Sequence, residues 1–366
     1  MKAKGDLRDD LGYEPALDGL RAVAIIATIA VHAAFFLPGP WGALFPGAWI
    51  GVDIFFVLSG FLITRLLADE MHRNGSISFR RFYIRRVLRL FPAYTVLLVA
   101  DILFSTWVLH DRDIYKAALV SIGYVMNWSR AFAWFPDASL GHTWSLSMEE
   151  QFYILWPTLF MLLLRRRPLG WVLAALAVMV AWRSFLALTG ASPERTYNGF
   201  DTHADTLLIG CALALARPGP RLCEIARRFA AVPVALLIAV LTGLSYRSPL
   251  IQTVGFTLAG LATAWVIVAA MQPGWLKRGL SVRPLVYTGR ISYGLYLWHV
   301  PIVMLGPKFI HGYPSLLLIP LSFGVAALSY AYIEKPFLRL KARFEPSEQR
   351  VRVQEKLLAE PLLESA

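Results

Sequence analysis

Charge is scarce in this chain. Only 16% of its 366 residues are Asp, Glu, Lys or Arg, while 57% are hydrophobic and the mean hydropathy is +0.54. A soluble domain carries about 25% charged residues, so most of this chain is not built to meet water. Cysteine is scarcer still. Cys211 lies in an apolar run and Cys223 in a basic loop, which excludes a disulfide framework. No close His-x-x-x-His or His-x-x-Glu pair occurs, so no metal centre is expected. No repeat, low-complexity linker or soluble insertion interrupts the pattern. A cleavable leader is not expected either: the first apolar run is about 21 residues long and follows an acidic stretch from Asp6 to Asp18, whereas signal peptides are shorter and positively flanked.

Apolar runs and aromatic rings are abundant. Twelve Trp, 14 Tyr and 22 Phe suit a bilayer, where rings gather at the interfaces. A membrane helix needs roughly 20 mainly apolar residues to cross about 30 Å of hydrocarbon. Runs of this kind fall at 17–37, 48–68, 91–109, 143–164, 169–189, 203–217, 231–247, 250–271, 290–306 and 315–335. The expected fold is therefore all-α: a polytopic membrane bundle of about ten transmembrane helices. The apolar segment 117–128 is too short to span, and a re-entrant or interfacial placement is expected for it. Threading the chain with both termini cytoplasmic puts 28 basic residues inside and 6 outside, a clear positive-inside bias. A crossing at 117–128 would move Arg165, Arg166 and Arg167 outside and weaken it. This placement also accounts for the net charge of +12 without nucleic acid.

Ionisable groups in hydrocarbon are costly and usually face a cavity or a partner. Arg21 and His32 lie 11 residues apart on the first helix, close to three turns, so both can face one side about 16 Å apart. Asp53 opens the second helix and Glu149 lies about two turns into the 143–164 helix, at the depth of His32. His203 and Asp205 start another span from the same side, and His299 sits near mid-membrane. Such groups can simply pair to hold helices together. The alternative is chemical: a histidine takes a proton from a hydroxyl when a carboxylate fixes its tautomer, and Asp53 or Glu149 is expected to serve His32 in this way. On the cytoplasmic side Arg81, Arg85 and Arg89 form a stripe at one-turn spacing. Guanidinium forks bind phosphates, and the same stripe also suits plain anchoring at lipid headgroups.

Together these residues resemble the acyltransferase-3 family of integral membrane O-acyltransferases. Leu17-Asp18-Gly19-Leu20-Arg21 with His32 is similar to its Arg-x10-His signature. Gly51 to Leu62 resembles the second-helix motif, and Arg85, Arg86, Arg89 and Pro92 the basic cytoplasmic motif. Trp144 to Tyr153 matches Ser-x-Glu-x-x-Phe-Tyr, with Ser147, Glu149, Glu150 and Tyr153 in it. Ile291 to His299 and Glu334-Lys335-Pro336 resemble the closing motifs. Asp205 to Gly210 is similar to another, although His203 stands where many members carry Arg.

The resemblance implies a transmembrane acyltransferase domain over 1–340 with a charged cytoplasmic tail at 341–366 and no fused SGNH hydrolase-like domain, so that a separate protein can be required to complete transfer. It implies a donor, acetyl-CoA or another acyl-CoA, with no permanently bound cofactor. It also implies a carbohydrate or macrolide hydroxyl as acceptor and a bacterial inner-membrane location. His32, Asp53 and Glu149 are then the expected catalytic group. Arg21, Arg85, Arg86 and Arg89 bind the coenzyme, and Ser147, Glu150, Tyr153, Asp205 and His299 support substrate. A transporter or flippase is the alternative, since intramembrane charge also marks substrate pathways. No inverted repeat or matched pair of interrupted helices is visible to favour it. A non-catalytic scaffold for glycan intermediates is the third reading.

Overall fold

The computed structural model describes residues 13–34, 44–163, 167–305, 309 and 314–344. The expected tail at 341–366 lies outside the described residues beyond position 344, as do the N-terminal charges before Tyr13 and Arg165 and Arg166. Among the described residues the chain is helical throughout. Its helices are α1 (Pro15–Ala34), α2 (Ile50–Asn74), α3 (Phe79–Trp107), α4 (Ile114–Ile122), α5 (Met126–Phe132), α6 (Trp144–Leu163), α7 (Pro168–Leu188), α8 (Pro193–Asn198), α9 (Phe200–His203), α10 (Asp205–Ala216), α11 (Pro220–Arg228), α12 (Ala231–Gly243), α13 (Phe256–Met271), α14 (Trp275–Leu280), α15 (Arg283–Arg290), α16 (Ser292–Leu305), α17 (Pro314–Ser329) and α18 (Lys335–Ala342). A 3₁₀ turn at Ala138–Thr143 leads into α6, and π-helical turns at Ile251–Gly255 and Tyr330–Glu334 precede α13 and α18.

Among the described residues six helices are long and apolar enough to cross a membrane: α1, α2, α3, α7, the segment Ile251–Met271 and the segment Leu317–Ala342. Counting α11 and α12, bent by 54°, as one span brings the number to seven. The chain is thus a multi-pass membrane protein, with fewer qualifying spans than the ten expected. The difference has local causes. The run at 203–217 is realised as the 12-residue α10, about 18 Å long at 1.5 Å per residue. Within the run at 143–164, α6 begins Trp-Ser-Leu-Ser-Met-Glu-Glu-Gln, and the polar residues among these dilute its hydropathy. Segment 117–128 is divided between α4 and α5 at a break where Tyr124 takes φ 52°.

Burial separates core helices from peripheral ones. α7 buries only Val172 and Arg183, and it turns Trp171, Val178, Phe185 and Leu188 outward, as a lipid-facing helix does. α2 is the opposite, with residues buried on every side. Two glycines set its position. A Cβ at Gly60 would stand 2.0 Å from the Leu207 carbonyl oxygen, and one at Gly210 would stand 2.2 Å from that of Val57. α2 and α10 therefore cross backbone to backbone, the small-residue packing that membrane helices use in place of a hydrophobic drive. This crossing fixes which way every other residue of α2 faces.

Candidate functional site

A cavity of about 450 Å³ runs between α1, α2, α3, α6 and α16. On α2 its lining extends from Val52 to Arg73, about 30 Å of helix axis at 1.5 Å per residue. One end is strongly basic. Arg21, Arg85, Arg86 and Arg89 all line it, and Arg65, Arg73 and Lys341 join them. These guanidinium groups differ in their commitments. Arg21 pairs with Asp18 at 2.9 Å. Arg85 is buried, 3.3 Å from Glu70 and from the Phe344 carbonyl, so it ties α3 to α2 and to the end of α18. The Arg86 guanidinium lies 4.4 Å above the Tyr153 ring, and among the described residues neither Arg86 nor Arg89 has a hydrogen-bond partner. Their N–H donors face the cavity.

The middle of the cavity carries a short relay of hydroxyls. Tyr153 donates to Ser59 at 3.1 Å, and Ser59 donates to Glu149 at 2.5 Å. At the far end Ser145 and Tyr296 are 2.5 Å apart, and the Tyr296 hydroxyl donates to the His142 carbonyl. Behind Tyr296 stands a cluster of three imidazoles. The His32 and His299 ring centroids are 5.0 Å apart, and His142 and His299 are 5.7 Å apart. Tyr296 touches both, with its ring 5.5 Å from that of His142 and 5.9 Å from that of His299. It is at once the end wall of the cavity and the neighbour of the cluster.

The pairing expected from sequence is corrected here. His32 contacts neither Asp53 nor Glu149. Asp53 accepts from His203 Nε2 at 2.7 Å, while His203 Nδ1 is 2.6 Å from the Tyr197 carbonyl. Both nitrogens of His203 are thereby engaged, one by Asp53 and the other by the Tyr197 carbonyl, and His203 does not line the cavity. Asp53 faces this way because the Gly60–Gly210 crossing turns its side of α2 toward α9 and α10. Glu149 stands on the cavity face of α6 with Ser145, one turn away, and is taken by Ser59.

Asp205 is likewise held inside the protein. It pairs with Arg183 at 2.8 Å and accepts from Thr257 at 2.5 Å, with Arg183 and Asp205 fully buried. Ser147 is buried and donates to the carbonyl of Thr143, the last residue of the preceding 3₁₀ turn, at 3.0 Å. Ser147, Glu150 and Asp205 do not line the cavity, whereas Tyr153 does. Among the described residues no group of three or more His, Cys, Asp or Glu is arranged to hold a metal ion.

Sequence reasoning missed His142, Tyr296, Ser59 and Ser145, as well as the basic lining from Arg65, Arg73 and Lys341. In the sequence His142 merely precedes the apolar run at 143–164, and Arg65 and Arg73 fall among the basic residues that topology already places inside.

Comparison with known proteins gives the frame for this geometry. The family model described as an acyltransferase domain matches residues 14–334. The chain belongs to this acyltransferase family. It is 34% identical to the peptidoglycan O-acetyltransferase OatA of Listeria monocytogenes, covering 88% of this chain and 56% of the relative. It is 35% identical to the putative peptidoglycan O-acetyltransferase YrhL of Bacillus subtilis, covering 88% and 55%. A putative O-acetyltransferase of Staphylococcus aureus is 32% identical, covering 89% and 57%. The chain thus spans little more than half the length of these relatives. No solved structure matches. The acyltransferase match takes in α1, where Arg21 and His32 stand, and reaches through Glu334, so the cavity lies almost wholly inside it.

Proposed function

We propose that this chain is a membrane O-acetyltransferase that takes an acetyl group from acetyl-CoA and passes it to a hydroxyl of a cell-wall polysaccharide. The observation that carries the reading is the cavity, with unpaired guanidinium donors at one end and an imidazole cluster just past the other. Arg86 and Arg89 suit the coenzyme phosphates. The hydroxyls of Ser59 and Tyr153 with Glu149 suit the amides of the pantetheine arm, which brings the thioester toward Ser145 and Tyr296. The acceptor oxygen attacks the thioester carbonyl carbon while its proton passes to His32 Nε2. Collapse of the tetrahedral intermediate breaks the C–S bond, and the leaving sulfur takes that proton from His32. The products are an O-acetyl ester and the free thiol of coenzyme A.

The names of the relatives support a cell-wall glycan as acceptor. So does a shelf of rings between α5 and the 3₁₀ turn. Trp128 and Phe132 stack with centroids 5.9 Å apart, as do Phe132 and Trp134, and Arg195 lies 5.2 Å over Phe132. Trp134 and Phe135 border a second cavity with Asp137 and Glu194. Flat apolar faces beside carboxylates fit a sugar ring, whose axial C–H bonds and hydroxyls need both. The 28-to-6 basic split favours ten crossings with α4 and α5 re-entrant, both termini and the tail cytoplasmic, in a bacterial inner membrane. The basic mouth of the cavity would then open where acyl-CoA is made.

The test is acetyl transfer by the purified chain in liposomes given acetyl-CoA and soluble peptidoglycan fragments. Release of coenzyme A thiol should be matched one to one by base-labile ester on the fragments. Movement of fragments across the liposome with no ester formed would show a transporter instead.

A further inference from the structure

We propose that His299 is a positioning residue that holds His32 in the tautomer whose Nε2 carries the free lone pair. The inference rests on the reading of His32 as the proton acceptor and adds what orients it. Hydrogen-bond accounting supplies the argument. His299 Nδ1 lies 2.9 Å from the Leu295 carbonyl and 2.8 Å from that of Tyr296. A carbonyl oxygen only accepts, so the proton of His299 sits on Nδ1. His299 is fully buried and no carboxylate touches it among the described residues, so a second proton would create an unpaired buried cation. Its Nε2 is therefore an acceptor. That atom is 3.2 Å from His32 Nδ1, which must donate.

The surroundings of His32 agree. The same Nδ1 is 2.9 Å from the Thr28 carbonyl, a second acceptor. The opposite tautomer would aim a lone pair at two others. Among the described residues His32 Nε2 has no hydrogen-bond partner, so it is the nitrogen left to take a proton. His299 is braced in turn by His142, whose ring meets it edge-on at 74°. The two carboxylates at comparable depth are occupied, Asp53 by His203 and Glu149 by Ser59. A neutral imidazole thus fills the orienting place that a carboxylate holds in a Ser-His-Asp triad. When His32 becomes imidazolium, its Nδ1–H bond to His299 turns into a bond from a charged donor and strengthens.

Three substitutions separate this role from packing. His299→Gln puts an amide oxygen near the place of Nε2 and keeps the acceptor. His299→Asn reaches only the place of Nδ1, and His299→Phe fills the space with no acceptor. In acetyl transfer from acetyl-CoA to peptidoglycan fragments, Asn and Phe should lower kcat by about ten- to a hundredfold, the range for losing a hydrogen bond to a charged group. The KM for acetyl-CoA should stay within about twofold, and Gln should keep kcat within about threefold of wild type. A Phe variant with wild-type kcat, or a Gln variant no better than Phe at equal membrane levels, would overturn the proposal.

Nitrogen-15 NMR of the ring nitrogens in the unsubstituted protein reads the tautomer without any change to His299, with the His32 signals assigned by their loss in His32→Gln. Protonated Nδ1 with bare Nε2 is expected, and the reverse would also overturn it. If His32→Gln itself keeps full turnover, it is the base assignment that has failed; if His32→Gln is inactive while His299→Phe is fully active, only the role of His299 has.

Discussion

His32→Gln is expected to lower acetyl transfer by about 10²–10⁴-fold, the usual contribution of a positioned general base, with the protein still present in the membrane. Gln approximates the length and polarity of the imidazole and sets its amide near the place of Nε2, the nitrogen assigned to take the proton. It cannot accept the proton. A packing role would give the opposite result, because a polar group of similar size would be tolerated and any loss would appear as reduced protein. The measurement is the rate of ester formation on peptidoglycan fragments, normalised to protein recovered in membranes.

The carboxylates should behave differently from His32 and from each other. Asp53→Asn weakens a buried pair with His203 and is expected to reduce protein recovery, since breaking a buried pair is strongly destabilising. Glu149→Gln leaves Ser59 an acceptor and should act on the donor side, through KM for acetyl-CoA.

The second large effect is expected at the cavity mouth. Replacing Arg86 and Arg89 together by Ala should raise KM for acetyl-CoA by about a hundredfold or more, since each hydrogen bond to a charged group contributes about 1.5–3 kcal/mol. These two are chosen because their donors face the cavity without partners, whereas Arg85 is spent on Glu70 and Phe344. Arg85→Ala should therefore cost stability as well as affinity. Lys at positions 86 and 89 should restore binding only in part, because an ammonium offers no planar fork. Unchanged KM in the double Ala variant would return these residues to headgroup anchoring.

The sequence made some of this legible. A 20-residue apolar run is a direct statement about a helix, so α1, α2, α3, α7 and α13 could be read from hydropathy. Arg21, Arg85, Arg86 and Arg89 stood out as guanidinium groups at helical spacing, and all four line one cavity. What failed was the pairing of residues at one depth. Rise per residue yields a single coordinate, the distance along the membrane normal. It placed His32, Asp53 and Glu149 at one level but said nothing of which helix each faces.

That second coordinate is set by packing. Gly60 and Gly210 bring α2 against α10 and carry Asp53 to His203, and the α1–α16 contact carries His32 to His299. His142 was hidden for another reason. It lies in a 3₁₀ turn, which has no hydrophobic period to mark it. Arg65 and Arg73 were hidden in plain view, because basic residues at the cytoplasmic end of a span already have an explanation in topology.

The central claim is that one cavity receives the donor at its basic mouth and presents the acyl end to His32. A structure of the protein with a non-reactive acetyl-CoA analogue tests it most directly. The account predicts the nucleotide phosphates against Arg86 and Arg89, the pantetheine arm along Ser59 and Glu149, and the acyl carbon past Tyr296 toward His32 Nε2, with room for an acceptor oxygen about 3–3.5 Å from the carbon it attacks. An analogue bound outside this cavity, or bound within it with its acyl end at the basic mouth, would contradict the account.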